Sequence, residues 1–372
     1  MPSSQKTFRV FVSSTFTDMR AERRVLQERV FPELKRYCEA RGASFQAVDL
    51  RWGVNEASQR EQKTMEICLT EIARCQRLSP RPNFIVLLGD RYGWQPVPNK
   101  IPSAEMAELQ THLSDAEAKL IWRWYQEDTN AIPPEYVLKP RGEEYRDYEQ
   151  WQPVEDRLRA TLRKAVDQTA FSAEQRIKYF AAATHQEIIN GALQAPAGGI
   201  DPADHVFAYL REMGFPPHGE KAGDFLDLLP DGTVDPYAKA KLDGLKEELG
   251  DKLPEDHIHK YQAQWHDGAQ FAEGVLEAFA AKVYQDLVSV INQELEEIIA
   301  PDELTREKQL QADFARRLTR FFTGQEEPRR QIAAYLEQGS GKLFALIGPS
   351  GSGKSSLMAQ ALEDAGGGDY MG

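Results

Sequence analysis

The stretch NFIVLLGDRYGW, residues 83–94, decides the fold. Of its first six residues, Asn83 to Leu88, five are apolar and they do not alternate with polar ones. Such a run predicts a strand buried on both faces, as in the middle of a parallel sheet. Gly89 follows, and then Asp90, Arg91, Tyr92 and Trp94 crowd one short loop. A loop at the carboxyl end of a central parallel strand is where open α/β sheets bind ligands. Two charges and two aromatic rings are more chemistry than a turn needs, so this loop is taken as one wall of a site.

Upstream of it the pattern repeats. Phe8 to Val12 predicts a first strand, running into Ser13, Ser14 and Thr15. A helix follows over about 18–40, with Thr17 or Asp18 as candidate cap and Gly42 as its stop. Ala43 to Leu50 is a second strand, ending in Arg51 and Trp52. Ser58 to Glu61 reads as a capping box for the helix before the central strand. This β-α-β-α-β order implies a parallel, doubly wound sheet. Downstream, residues 99–182 are acidic and proline-punctuated and read as a largely helical insertion. A helix around 184–193, a fourth strand at 204–210, a helix at 237–249, an edge strand at 257–265 and a long helix at 271–299 complete the domain. The fold class is therefore α/β: a flavodoxin-like, doubly wound, mainly parallel five-stranded sheet with a helical insertion.

With 372 residues, 41% hydrophobic and 28% charged, the chain has material for two globular domains. It lacks an apolar run of membrane-spanning length and an apolar leader. Cys38, Cys68 and Cys75 lack metal spacing and read as buried free thiols of a cytoplasmic protein. Residues 1–100 carry 17 Lys and Arg against 11 Asp and Glu, net +6, and the remainder 28 against 47, net −19. Overall acidity argues against nucleic-acid binding. The basic first hundred residues suit a small anionic ligand, or only decorate solvated helices.

In a sheet of flavodoxin-like order the crevice lies between the first and third strands. That juxtaposes Ser13, Ser14 and Thr15 with Asp90, Arg91, Tyr92 and Trp94, and Arg51 and Trp52 border them. Hydroxyls and arginines suit phosphates, and aromatic rings suit flat heterocycles. Glu187 is the nearest acid, able to hold a ribose hydroxyl or stabilise a cationic sugar. Local alternatives stand beside this reading. Thr184 to Glu187 also fits a capping box, Arg51 and Arg91 can pair with Asp49 and Asp90, and Trp52 and Trp94 can be core. His185 is read as a surface or packing residue.

The tail carries a second motif. Leu343 to Ile347 is expected as a strand, followed by Gly348-Pro-Ser350-Gly351-Ser352-Gly353-Lys354-Ser355 and a helix from Ser356. This is a P-loop in its required context. Its glycines turn amides toward phosphates, Lys354 reaches the outer phosphates of ATP, and Ser355 ligates Mg2+. Few residues follow Lys354, too few for an acidic strand or an arginine finger. The expectation is the beginning of an NTPase domain, with a poorly ordered tail. The proposed layout is a domain over 1–300, a helical linker over 301–322 and the truncated NTPase part over 323–372.

FVSSTFTDMRAER (11–23), VDLRWGV (48–54), CLTEIARC (68–75) and FIVLLGDRYGW (84–94) occur in that order. Together they resemble the TIR-like N-terminal domain of unknown function that precedes NACHT-type NTPases in NACHT–WD-repeat and bacterial proteins. The likeness returns at THQEI (184–188), is loose over the insertion and moderate over 204–299. FFTGQEEPRRQIAAYL (321–336) with GPSGSGKSS (348–356) resembles the start of a STAND/NACHT module. The resemblance implies a cytoplasmic signalling ATPase with an effector, an NTPase that self-associates, and a C-terminal sensor of a trigger, as in antiphage defence. Enzymes among TIR domains cleave NAD+ with a Glu on the helix after the third strand. Glu187 holds the comparable place, though the tryptophan–cysteine context usual before that Glu is absent, since Ala183 to Gln186 stand there. Three functions remain open: NAD+ glycohydrolase, interaction module without chemistry, and another nucleotide-processing effector.

Overall fold

The computed structural model describes residues 6–50, 60–79, 81–194, 201, 204–214, 219, 221–264, 274–299, 311, 314–315, 318–319, 322–338, 343–349 and 351–364. Arg51, Trp52, the Ser58 end of the capping box, Ser350 and most of the linker over 301–322 lie outside them. The chain divides into two compact units, Met1–Glu294 and Leu295–Gly372.

The first unit is built on strands β1 (Thr7–Ser14), β2 (Ser44–Val48), β3 (Phe84–Leu88), β7 (Val206–Met213) and β8 (Ile258–Ala263). They form one sheet in the order β2-β1-β3-β7-β8, and every pair is parallel. All five residues of β3 are buried, because helices cover both of its faces. Phe84, Val86 and Leu88 point to one side, where α3 (Thr64–Leu78), α8 (Ala183–Ile188) and α9 (Pro236–Lys252) supply Cys68, Ile72, Ile188, Leu242 and Leu249. Ile85 and Leu87 point to the other. There α1 (Arg20–Val25), α2 (Phe31–Glu39) and α10 (Val275–Ile299) contribute Val25, Leu34, Val283 and Leu287 to the buried set. Each such aliphatic side chain removed from water stabilises by about 1.5–3 kcal/mol.

The first helix is not continuous. Leu26–Val30 forms a π turn between α1 and α2. Pro32, second residue of α2, has no N–H to give and crowds the preceding turn, and the wider turn accommodates it. The helix also starts without the expected cap. Its N-cap is Met19, with no side-chain hydrogen bond, because Asp18 is engaged inside the protein. Gly42 does take a left-handed conformation, φ +73°, in the turn beyond α2.

The insertion is not purely helical. β4 (Lys100–Pro102), β5 (Tyr125–Asp128) and β6 (Glu135–Leu138) form a separate antiparallel sheet in the order β4-β6-β5. Around it lie α4 (Ser103–Gln110), α5 (Asp115–Trp124), α6 (Tyr148–Val166) and α7 (Ala173–Phe180). Capping boxes at Ser114–Glu117 and Ser172–Gln175 start α5 and α7. The insertion has its own core: Trp124 packs edge-on to Trp151, ring centroids 4.7 Å apart, over Ile121, Leu158 and Leu162. Its two ends meet where the Ala183 amide donates to the Trp94 carbonyl, 2.9 Å.

In the second unit, α11 (Glu326–Gln338) packs on α12 (Lys354–Asp364) through Ile332, Leu357 and Ala361. Arg329 forks onto the carboxylate of Asp364 with two bonds of 2.9 Å. Leu343–Ile347 forms no strand here. Without a neighbouring strand among the described residues it has nothing to pair with, and Leu343 and Ile347 are almost wholly exposed.

Candidate ligand site at the carboxyl edge of the sheet

Alternation along β1 separates the two serines at its end. Ser13 shares the face of Phe11, toward α8, and its hydroxyl donates to Glu187 Oε2 at 2.6 Å. Ser14 turns to the α1 face, where its Oγ accepts from Arg23 Nε at 2.6 Å and donates to the Thr15 carbonyl. Arg23 is buried, pairs with Asp49 at the end of β2, and reaches the carbonyl of Val12. Glu187 is only 8% exposed. Burial raises its pKa, opposed by the Ser13 and Cys68 hydrogen bonds and the Arg23 charge. The local capping reading of Glu187 fails: α8 begins after Ala182, with no side-chain cap. Adjacent residues of one strand cannot face the same hollow, so Ser13 and Ser14 do not converge.

A second buried network lies beneath Gly89. Arg211 of β7 donates to the Asp18 carbonyl (2.7 Å) and Glu22 (2.9 Å), and pairs with the Asp18 carboxylate at 3.3 Å. Tyr261 of β8 donates to the same Glu22 oxygen at 2.8 Å. Thr15 donates to Asp18. Any side chain at Gly89 would collide with this network, since a Cβ there would stand 2.4 Å from Arg211 Nη2 and 2.7 Å from Asp18 Oδ2. Desolvation lifts the Asp18 pKa to about 6, against the pull of Arg211.

The β3 loop is held from outside the sheet. The amides of Tyr92 and Gly93 donate to Asp227 (2.6 and 3.2 Å), and Arg91 Nε lies 3.6 Å from it. Arg91 thus pairs with Asp227 and not with Asp90, which faces Lys246 at 3.8 Å. Tyr92 is buried, its hydroxyl 2.7 Å from His185 Nδ1. Burial, aided by Lys241, lowers the His185 pKa to about 4, so this ring stays neutral at physiological pH. His185 is a packing partner of Tyr92. Gly93, φ +86°, lets Thr15 approach. Trp94 is not core. It is 39% exposed and donates its indole N–H to Glu155 of α6, at 3.1–3.2 Å from both oxygens.

Between this loop and the insertion lies a cavity of about 630 Å³. Arg91, Trp94 and Phe16 line it from the sheet, Cys68 from α3, and Arg141, Tyr148 and Glu155 from the insertion. Of the predicted residues, Arg91 and Trp94 border this space. Ser13, Ser14 and Glu187 lie in the buried layer beneath, and Asp90 borders a different, smaller hollow with Asp227 and Asp243. Cys68 belongs to both layers: it faces the cavity and hydrogen-bonds Glu187. The charged groups that sequence reasoning missed are Arg23, Asp18, Glu22, Arg211, Asp227, Arg141 and Glu155. Each stands on an ordinary helix, strand or loop pattern, and only tertiary contact distinguishes it from a surface charge. All three cysteines are free and buried. Among the described residues no helix could cross a membrane and no group of side chains could hold a metal ion.

Residues 9–182 match the model of a domain of unknown function, DUF4062. The chain is 30% identical over 357 residues to NACHT domain- and WD repeat-containing protein 1 of Mus musculus, covering 92% of this chain and 23% of that protein. It is 25% identical to NACHT and WD repeat domain-containing protein 2 of the same species, over 77% of this chain and 18% of that one. Telomerase protein component 1 of Rattus norvegicus is 37% identical over 105 residues, 27% of this chain and 4% of that protein. No solved structure matches. The chain is thus similar to NACHT-containing proteins and spans less than a quarter of the length of these relatives. The matched segment 9–182 runs from β1 through the insertion and stops at the residue before α8.

The glycine-rich loop heads α12. Gly351 and Gly353 take φ +79° and +80°, conformations that side-chain-bearing residues rarely adopt. Lys354 opens the helix and folds back, its Nζ donating to the carbonyls of Gly348 (2.8 Å) and Pro349 (2.7 Å). Ser352, Ser355 and Ser356 flank it. A lysine already laid over a loop of left-handed glycines, at a helix N-terminus, is a donor set that fits a phosphate chain.

Proposed function

We propose that the first unit is the TIR-like effector of a NACHT/STAND-type signalling ATPase of the innate-immune or antiphage kind. In this reading it binds NAD+ or a related nucleotide in the cavity at the sheet's carboxyl edge, and hydrolyses it once copies assemble. The observation that carries this is the makeup of one cavity: cations at Arg91 and Arg141 beside a half-open indole at Trp94 and the phenol of Tyr148. Guanidinium groups suit phosphates and aromatic faces suit the bases. Glu187, kept beneath by Ser13 and Cys68, is the carboxylate assigned to the cationic ribosyl centre. It reaches the ligand when Cys68 moves aside, which is why assembly is the trigger in this reading.

The tail supports the ATPase half. ATP, through Mg2+ at Ser355, supplies the binding energy for self-association. Lys354 and the amides of Gly348, Gly351, Ser352, Gly353, Ser355 and Ser356 are the residues assigned to hold its phosphates. The trigger falls to a C-terminal sensor like the remainder of the longer relatives.

Incubating the full-length, ATP-assembled protein with NAD+ and following nicotinamide tests this. Expected is release that falls at least a hundredfold in Glu187→Gln. Release unaffected by that substitution removes Glu187 from the chemistry. A second reading, an interaction module without chemistry, draws on Glu187 being internal and absent from the cavity wall. No release from the assembled protein decides for it.

A further inference from the structure

Arg141 sits in the turn after β6 and is only 8% exposed. Among the described residues its Nε has no hydrogen-bond partner. The other cations of the cavity are engaged: Arg159 bonds the Gln95 carbonyl (2.6 Å), Asp156 (2.7 Å) and Glu155 (3.3 Å), and Arg91 leans on Asp227. Glu155 is the nearest acid that acts on Arg141, but its oxygens are taken by Trp94, Tyr148 (2.8 Å) and Arg159. The backbone of Arg141 is fixed, its amide donating to the Arg60 carbonyl at 2.9 Å. Among the described residues no carboxylate bonds this buried guanidinium, and it is the longer-range charge of Glu155 that counters its desolvation. Arg141 lines the cavity.

We propose that Arg141 is the phosphate anchor of this cavity, and that the insertion is the wall that selects for a phosphorylated ligand. The inference rests on the nucleotide reading above and deepens it: the ligand's pyrophosphate lies against Arg141 while its heterocycle takes the Trp94 and Tyr148 side. Arg141 is then a binding residue, held without a partner until the anion arrives. The planar fork matches two phosphate oxygens at once, which a lysine cannot do.

The test uses the full chain carrying Lys354→Ala, so that the glycine-rich loop does not compete for phosphates. Titration calorimetry with inorganic pyrophosphate and with ADP-ribose reads affinity, and tryptophan fluorescence reads the melting temperature. Both probes are expected to bind. Arg141→Met weakens each by about tenfold to a hundredfold, the loss of a charged hydrogen-bond donor. Arg141→Lys weakens them less. Without ligand, Arg141→Met melts at or above the parent, because it removes an unpaired buried charge. ADP-ribose binding unchanged in Arg141→Met overturns the anchor and leaves the nucleotide reading standing. Pyrophosphate binding that depends on Arg141, with ADP-ribose no tighter, keeps the anchor and overturns the nucleotide reading. Failure of both probes to bind overturns both. Loss of binding together with a marked fall in the unliganded melting temperature makes Arg141 structural and overturns the anchor.

Discussion

Replacing Arg211 by Met tests the network beneath Gly89. The guanidinium is wholly buried, as are the Asp18 and Glu22 carboxylates it holds. Met fills much of the same volume, so the cost falls on the two acids left without a cation. Breaking a buried pair from one side costs about 3–5 kcal/mol. For a unit of this size that lowers Tm by roughly 6–15 °C. All six tryptophans lie before residue 295, so their fluorescence reports the first unit alone.

The pH dependence gives the sign. Asp18 has a folded pKa raised from 3.8 to about 6. A group raised on folding contributes stability that is present in full below its unfolded pKa and is lost as pH climbs through the folded one. At about 1.4 kcal/mol for each pH unit, this amounts to about 3 kcal/mol lost between pH 4 and pH 7 in the parent. Without Arg211 the Asp18 carboxylate loses the cation that lowers its pKa, so the variant declines more steeply with rising pH. Urea unfolding at pH 5 and pH 8 measures this. A loss under about 1 kcal/mol, or one larger at pH 5 than at pH 8, refutes the ion-network account. Adding Asp18→Asn and Glu22→Gln to Arg211→Met removes the stranded charges, and most of the pH dependence goes with them.

Two further outcomes follow from close packing and from the tail. A Cβ at Gly191, in the π turn after α8, would stand 2.2–2.6 Å from three ring carbons of Phe84 in β3. Gly191→Ala is therefore expected to destabilise by about 1–3 kcal/mol in urea unfolding. Lys354→Ala is expected to abolish Mg-ATP binding by calorimetry in the full-length protein, while the melting of the tryptophan-containing unit stays within about 1 °C, since surface changes are near neutral.

The sheet was legible because its central strands β1, β3 and β7 bury both faces and its edge strand at 257–265 alternates. At these separations the runs favour a parallel, doubly wound order, and β1, β2, β3, β7 and β8 stand where strands were expected. The insertion was less legible: Tyr125–Asp128 and Glu135–Leu138 are four-residue strands on a partly exposed sheet, too short and too polar to show a period of two. At the site, chemistry was visible and direction was not. SST after a strand announces hydroxyls at a sheet edge, but the pleat sends Ser13 to Glu187 and Ser14 to Arg23. Asp18 reads as a helix cap and is a buried counterion. Asp227 sits in a loop whose composition says only that it turns, yet it holds the Tyr92 and Gly93 amides.

On the proposed reading, the two layers at the carboxyl edge divide the work between binding and catalysis. The upper layer, Arg91, Trp94, Arg141 and Tyr148, lines the cavity. The lower layer, Ser13, Cys68 and Glu187, is buried, and burial raises the pKa of its carboxyl group against the hydrogen bonds of Ser13 and Cys68. On the proposed reading, a carboxyl group closed in behind a thiol reaches a cationic centre only once Cys68 shifts. On that reading a single copy would be a binder with its catalytic group withheld. Under the proposed function that restraint has a reason, because an effector joined to an assembling ATPase would have to be silent as a single copy. Under the proposal, ligand affinity is then expected to depend on Arg141 in every state of the protein, and turnover to depend on Glu187 only in the assembled one.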